Sequence, residues 1–170
     1  HVINIRRLTR MVLERLALKT TEYNLTMRDI DMITNASALH DIGKIAIDEK
    51  IINKPGRLTA EEFEIVKTHT TVGAEMVWSL REYRGEPLLR YAYDICLYHH
   101  ERYDGSGYPK GLSREDIPIT AQGVAICDVY DALTSKRVYK PAMTHDEAMK
   151  IISVDERGKY NPAVLECFCE

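Results

Sequence analysis

The sequence predicts an all-α fold in a single domain. Apolar residues recur at helical spacing along most of the chain, and several capping sequences mark helix starts. No stretch alternates apolar and polar residues in the way that a half-buried β-strand does. A length of 170 residues is typical of one domain, so we expect residues 1–170 to form it. Because the chain opens on His1 rather than methionine, we expect it to be part of a longer protein.

The first three helices are predicted from apolar stripes and capping sequences. A stripe at helical spacing indicates the first helix: Ile5, Leu8, Val12 and Leu16. Thr26 followed by Asp29 resembles a cap and predicts the second. The capping box Thr59–Glu62 predicts a long third helix. Its apolar stripe consists of Phe63, Val66, Gly73, Val77 and Leu80. His69 falls on this stripe, so we expect its side chain to be buried.

The second half of the chain contains further helices around one glycine-rich loop. Pro87 is expected in the first turn of a helix. The side chains expected inside that helix are Leu88, Tyr91 and Ile95. Three glycines and a proline in Tyr103–Gly111 predict a loop. Three more helices are predicted, over residues 120–135, from the capping box at Thr144 through Ile152, and from Asn161 onward.

Charge and composition argue against two classes of function. The net charge of −3 gives no indication of a DNA-binding surface. No apolar run approaches the roughly 18 residues that a membrane helix needs. The cysteines match no zinc-binding spacing and are typical of thiols in a reducing cytoplasm, where we expect the protein to work. They are Cys96, Cys127, Cys167 and Cys169.

The pair His40 and Asp41 is the first sign of metal chemistry. A carboxylate has two oxygens and can bridge two metals, whereas an imidazole binds one. A His-Asp dipeptide alone is common, and His40 can equally be a helix-end residue beside an Asp41 cap. His69 has a similar alternative, as a core histidine with a satisfied hydrogen bond.

More histidines and aspartates follow in helical surroundings. Adjacent residues on a helix point about 100° apart, so His99 and His100 can serve one metal only if the helix breaks there, and otherwise they can serve different metals. The glycine-rich loop that follows makes such a break plausible. Asp128 and Asp131 share one face of an otherwise apolar helix, where an unpaired carboxylate is costly. A metal would satisfy them, and so would a cap, a hydroxyl or a lysine. Together these residues predict a cluster suited to iron, manganese or zinc rather than calcium.

Three stretches of the sequence resemble the motifs of the HD-GYP phosphodiesterases, a branch of the HD phosphohydrolase superfamily. They are Leu39–Ile45, which holds the His-Asp pair, His99–Pro109, which ends in Gly-Tyr-Pro, and Asp128–Ser135. The resemblance covers essentially the whole chain. It implies a helical HD-type domain with a GYP loop.

The resemblance also implies which residues form the site. The implied metal ligands are His1, His40, Asp41, His69, His99, His100 and Asp128, with Asp41 as the bridge. They would hold two or three divalent ions, iron first and manganese next, with zinc, nickel or magnesium as alternatives. The implied substrate contacts are Lys44 over the scissile phosphate, Tyr108 and Pro109 in the pocket wall, and Arg137 and Lys140 on phosphate.

The implied activity is hydrolysis of cyclic di-GMP, a bacterial second messenger, to linear pGpG or GMP. Two metals about 3.5–4 Å apart would share and activate a water that attacks phosphorus. Asp41 and Lys44 would then be catalytic, with Lys44 stabilising charge or protonating the leaving oxygen. The implied partners are an upstream receiver or sensor domain, a diguanylate cyclase with a GGDEF domain, and a second copy in a homodimer.

Several alternatives remain open at this stage. The substrate can be another cyclic dinucleotide or phosphate ester, or the chain can be a catalytically weak module that binds a nucleotide or partner. Lys44 can simply stabilise a helix end, and Tyr108 can simply pack. Asp131 is expected to be structural, and His145 a solvated residue in a first turn. Gly123 falls in a predicted helix, where glycine is unfavourable.

Overall fold

The all-α prediction is confirmed by the computed structural model, which describes residues 1–80, 85–136 and 141–170. No β-strand occurs among these described residues. Their α-helices are α1 (Val2–Lys19), α2 (Met27–Ala36), α3 (Glu49–Ile52), α4 (Ala60–Lys67), α5 (His69–Ser79), α6 (Pro87–Tyr98), α7 (Ile119–Thr134), α8 (His145–Lys150) and α9 (Pro162–Cys169). Short 3-10 segments lie at Ser37–Leu39, Ile42–Ala46, Arg114–Asp116 and Arg157–Lys159, and a π-helical turn, Ile151–Asp155, continues α8.

Local capping chemistry sets the helix starts where the sequence predicts them. At α2, the Thr26 side chain accepts from the Asp29 backbone N–H, and the Asp29 carboxylate accepts from the Thr26 N–H. The same reciprocal pair opens α4 and α8. Pro87 occupies the first turn of α6. The Asn161 side chain caps α9 by accepting from two backbone N–H groups. Each cap satisfies donors that the first helical turn leaves without an intrahelical partner.

The prediction of one long third helix is wrong, because the helix is interrupted at Thr68, between α4 and α5. Side-chain donors occupy three carbonyls at the break, from Thr68 Oγ1 to Ile65, His69 Nδ1 to Val66 and Thr70 Oγ1 to Lys67. Such bonds compete with the helical ladder. The predicted stripe is confirmed only within α5, where Gly73 and Val77 are buried. Its two ends are wrong, since Phe63 is 45% exposed and Leu80 is 50% exposed. Leu88, also expected inside, is exposed on α6. His69 is buried as predicted, but as the first residue of α5.

The hydrophobic core lies between α1, α2, α5, α6, α7 and α9. Its largest fully buried apolar side chains are Ile5, Leu13, Leu16, Ile30, Ile33, Ile95, Ile126 and Ile152. Gly123 has a role here, because a Cβ at this position would lie 3.2 Å from Leu13 Cδ2. Glycine therefore allows α7 to pack closely on α1. The four thiols are free, and only Cys169 is exposed. No helix in the described part of the chain has the length and apolar character to cross a membrane.

Candidate metal centre

The fold brings seven histidine and aspartate side chains from distant parts of the chain to one place. They come from the residue before α1, the turn between two 3-10 segments, the start of α5, the end of α6 and the middle of α7. In that order they are His1, His40 with Asp41, His69, His99 with His100, and Asp128. All seven were predicted from the sequence to be metal ligands. The structure arranges them in two groups, each with its ligand atoms within 4.8 Å of one another.

The first group, called here the four-residue group, consists of Asp41, His69, His99 and His100. The Nε2 atoms of His69 and His99 are 3.4 Å apart. Asp41 Oδ1 lies 3.4 Å from His69 Nε2 and 3.9 Å from His99 Nε2. His99 and His100 both contribute because α6 ends at Tyr98 and His99 is its C-cap. The helix therefore breaks where the sequence predicts, and the two neighbouring rings face one group.

The second group, called here the three-residue group, consists of His1, His40 and Asp128. The Nε2 atoms of His1 and His40 are 3.2 Å apart. Each of them is 3.7 Å from Asp128 Oδ1. The group thus combines two imidazoles and a carboxylate, a ligand set that suits transition metals.

Asp41 faces both groups with different oxygens. Its Oδ1 points to the four-residue group, while its Oδ2 lies 3.4 Å from His40 Nε2 and 3.9 Å from His1 Nε2 in the three-residue group. Lys44 Nζ donates to the same Oδ2 at 2.6 Å. Oδ1 is buried and has no hydrogen-bond partner among the described residues. A buried carboxylate oxygen without a donor is unfavourable, and a cation in the four-residue group would satisfy it.

The imidazoles are oriented for metal binding by hydrogen bonds from their Nδ1 atoms. His40, His69 and His99 each donate to a backbone carbonyl, at 2.6 to 2.8 Å. A carbonyl only accepts, so Nδ1 carries a proton, and in a neutral ring Nε2 then presents a lone pair. The Nε2 atoms of His69 and His99, 3.4 Å apart, therefore set lone pairs against each other unless a cation lies between them. Metal-bound histidines usually donate their other ring N–H in this way, to a carbonyl or carboxylate. These residues therefore fit divalent ions.

The protonation states of the histidines in the four-residue group favour the same conclusion. Burial lowers the pKa values of His69, His99 and His100, and that of His99 falls to about 3. These three rings are therefore neutral at pH 7. Burial would lower the pKa of His40 as well, but Asp128 and Asp41 outweigh it and raise that pKa to about 10. Burial would raise the pKa of Asp128, yet His40 holds it down at about 2. Ionised carboxylates and neutral imidazoles are the forms that bind metal, so a cation in the three-residue group would have to displace the proton that His40 carries at pH 7.

Asp131 supports His1 from outside the three-residue group. Its buried Oδ2 accepts from His1 Nδ1 at 2.6 Å, and its Oδ1 accepts from Asn4 Nδ2 at 2.8 Å. The expectation of a structural role for Asp131 took no account of this contact. Only the folded chain shows it, because the two residues are 130 positions apart.

We expect Asp131→Asn to weaken metal binding in the three-residue group by about tenfold or more. An amide has one acceptor for two donors, so either His1 or Asn4 loses its partner. Titration of the metal-free protein with manganese(II) would measure the two sites. Asn4→Ala is the control, since it leaves the Asp131–His1 hydrogen bond in place and should change affinity little. Equal affinity in Asp131→Asn and the wild type would contradict this role.

A cavity of about 870 Å³ opens over the two groups. Lys44 and Tyr108, both predicted substrate contacts, line it. Pro109 follows Tyr108 through a cis peptide bond but is not among the described residues at the cavity wall. The other two predicted contacts, Arg137 and Lys140, lie outside the described residues. Two cations that the sequence argument did not single out also line the cavity, Arg102 and Lys136.

Glu101 holds the loop that carries Tyr108. Its carboxylate is 3% exposed and accepts from the backbone N–H of Lys110 at 2.6 Å and of Leu112 at 2.9 Å. Gly107 packs so closely on this turn that a Cβ there would lie 2.6 Å from the Glu101 carbonyl carbon. The glutamate in the second motif is therefore a structural element of the loop.

We expect Glu101→Gln to loosen the loop at a cost of about 1.5–3 kcal/mol, because glutamine is neutral and offers one acceptor to two backbone N–H donors that now bond a charged group. The backbone amides of Lys110 and Leu112 should exchange hydrogen faster in the variant, as measured by mass spectrometry. Glu115→Gln is the control, since Glu115 accepts from Tyr103 Oη at the surface. Unchanged protection of the two amides would show that Glu101 does not hold the loop.

Comparison with known proteins places this geometry in a family. Residues 2–164 match the family described as HD domain. A Vibrio cholerae protein named cyclic di-GMP phosphodiesterase is 43% identical over 145 residues, which are 85% of this chain and 30% of that protein. Another from the same organism, named 3′3′-cGAMP-specific phosphodiesterase 2, is 39% identical over 148 residues, 87% of this chain and 28% of its own length. The chain thus spans about a third of the curated relatives it matches.

Among solved structures, an HDG"Y"P protein from Bdellovibrio bacteriovorus has the same fold. The TM-score is 0.74 at 21% identity, over 99% of this chain and 50% of that one. The family match and the three motifs agree with this fold. The chain therefore belongs to the HD domain family and, within it, to the HD-GYP proteins.

Proposed function

We propose that this chain is a metal-dependent phosphodiesterase that hydrolyses cyclic di-GMP to linear pGpG, to GMP or to both. The observation that carries the proposal is the single carboxylate of Asp41, which faces two histidine groups at the base of a cavity. The cavity volume of about 870 Å³ suits a ligand of dinucleotide size. Relatives named cyclic di-GMP phosphodiesterases support the choice of substrate.

We propose the seven clustered residues as the metal ligands. Iron(II) is the first candidate and manganese(II) the second, since mixed imidazole and carboxylate ligands suit both. The two groups account for two ions, and a third would need a further ligand. Bound there, two divalent ions would supply an activated water and neutralise charge that develops on the phosphoryl group.

The remaining steps are assigned to the protein's own side chains. Lys44 Nζ is placed at the cavity wall beside Asp41 and can pair with a phosphoryl oxygen or protonate the leaving oxygen. Tyr108 stacks on His100, with ring centroids 4.7 Å apart, and forms the wall against which substrate would lie. Arg137 and Lys140 stay predictions as phosphate contacts.

A second candidate substrate is 3′3′-cGAMP, because a relative named for that activity is 39% identical. No contact among the described residues identifies a guanine-reading group. The proposed chemistry at phosphorus is the same for both messengers, so a direct comparison of substrates is required.

The test is anaerobic incubation of the protein with cyclic di-GMP or 3′3′-cGAMP, with iron(II) or manganese(II), and separation of the products by chromatography. Appearance of linear dinucleotide or GMP supports a phosphodiesterase, and the faster substrate identifies its specificity. No turnover of either compound, with two ions per chain verified, would contradict the proposal and favour a binding module. The receiver or sensor domain, the GGDEF partner, the homodimer and the cytoplasmic location stay predictions.

A further inference from the structure

The strongest additional feature is an aromatic pair beside the cavity. Tyr108 lines the cavity, and Phe63, which is not among the lining residues, contacts Tyr108. Phe63 lies on α4 with 45% of its surface exposed, although phenylalanine is normally buried. Val66, one helical turn later, lines the cavity, so Phe63 shares that face of the helix. The broken stripe left Phe63 without the core role that the sequence predicted. Its position at the rim gives it another use.

The ring of Phe63 is held in a fixed arrangement by its neighbours. It meets Tyr108 edge to face, with centroids 6.1 Å apart. Lys67 Nζ lies over both rings, 5.5 Å from the Phe63 centroid and 5.7 Å from that of Tyr108. Such cation–π contacts restrain aromatic rings at a surface. These contacts favour the present arrangement of the aromatic rim, defined as Phe63 and Tyr108.

The aromatic rim is continuous with the metal centre. The ring of Tyr108 stacks on His100, a member of the four-residue group, and it also contacts the ring of Phe63. A substrate phosphate over the two groups would direct its attached nucleoside along a wall. Exposed aromatic rings beside a phosphate-binding centre are the usual platform for a nucleobase.

We propose that Phe63 stacks against a nucleobase of the cyclic dinucleotide and so contributes to substrate binding. This inference rests on the proposed function, because it assigns the substrate to the same cavity. Phe63 does not reach the reacting atoms, so it should affect KM and leave kcat unchanged. Packing of α4 against the GYP loop is the competing explanation for the Phe63–Tyr108 contact.

Phe63→Leu separates these explanations, because leucine keeps apolar volume but loses the aromatic face. We expect the KM for cyclic di-GMP to rise between about 5-fold and about 100-fold, the range for loss of one stacked base. KM should not change for an abasic analogue with tetrahydrofuran in place of both nucleosides. Phe63→Trp should retain the wild-type KM. Ile65→Ala is the control, since Ile65 is also 45% exposed on α4, and it should behave like the wild type.

A binding measurement makes the inference independent of turnover. Cyclic di-GMP with one guanine replaced by 2-aminopurine, whose fluorescence falls on stacking, is titrated with each protein in the presence of Mg²⁺. Quenching by the wild type that Phe63→Leu loses supports the inference, even if the wild type hydrolyses nothing and the proposed function fails. Equal quenching by both proteins, or no binding of the probe by the wild type, would overturn the inference. So would a rise in the KM of Phe63→Leu for the abasic analogue as large as its rise for cyclic di-GMP.

Discussion

Replacement of Asp41 by asparagine should abolish turnover and remove at least one metal ion from each chain. Asp41 faces both groups, with Oδ1 toward His69 and Oδ2 toward His40. Asparagine keeps the size of the side chain but offers one neutral oxygen in place of a charged pair. We expect kcat/KM to fall by at least about a thousandfold, since metal ions contribute several kcal/mol to phosphoryl chemistry.

Metal content by mass spectrometry and turnover of cyclic di-GMP measure this prediction together. Asp31→Asn is the control, because Asp31 pairs with Arg10 at the protein surface. It should keep both ions and full activity. An Asp41→Asn protein that retains two ions and wild-type turnover would show that this carboxylate does not bridge the groups.

The parts of the fold that sequence predicts well are those fixed by local chemistry. The caps at Thr26, Thr59 and Thr144 each depend on residues three positions apart, so the sequence displays them directly. The break at Thr68 is also local, but its cause is a set of side-chain hydrogen bonds to carbonyls. An apolar stripe cannot indicate those bonds, and the prediction of one long helix followed the stripe.

Five of the candidate ligands could be predicted because they occur in the three motifs, and His1 and His69 because the order of the histidines resembles that of the family. The structure brings all seven together. Their supporting residues could not. Asp131 reaches His1 across 130 positions, and Glu101 bonds the loop through two backbone amides. Each is a carboxylate whose partner is set by tertiary packing, so neither spacing nor composition identifies that partner, although the apolar surroundings of Asp131 indicated a structural role. Phe63 was predicted to belong to a buried apolar stripe, and this is wrong because 45% of its surface is exposed.

Gly43 packs the first motif against α5, and its replacement by alanine should lower both the stability of the protein and its metal content. A Cβ at Gly43 would lie 2.6 Å from the Gly73 backbone nitrogen and closer still to the His69 carbonyl oxygen. Both obstacles are backbone atoms of α5, so neither can rotate away. We expect a loss of about 3 kcal/mol in the free energy of unfolding, at the upper end for overpacking. That loss corresponds to a Tm lower by about 6–12 °C for a chain of this size.

The effect of Gly43→Ala should extend to the metals, because the clash lies between two candidate ligands. Relief requires the Asp41 turn to move away from α5, which would separate Asp41 from His69 and open the four-residue group. The Tm of thermal unfolding and the number of metal ions bound per chain should therefore both decrease. Gly158→Ala is the control, since no atom lies within 4 Å of a Cβ at that position and the glycine has no positive φ. If Gly43→Ala kept the wild-type Tm and both ions, the close packing of the first motif on α5 would have no role in holding the site.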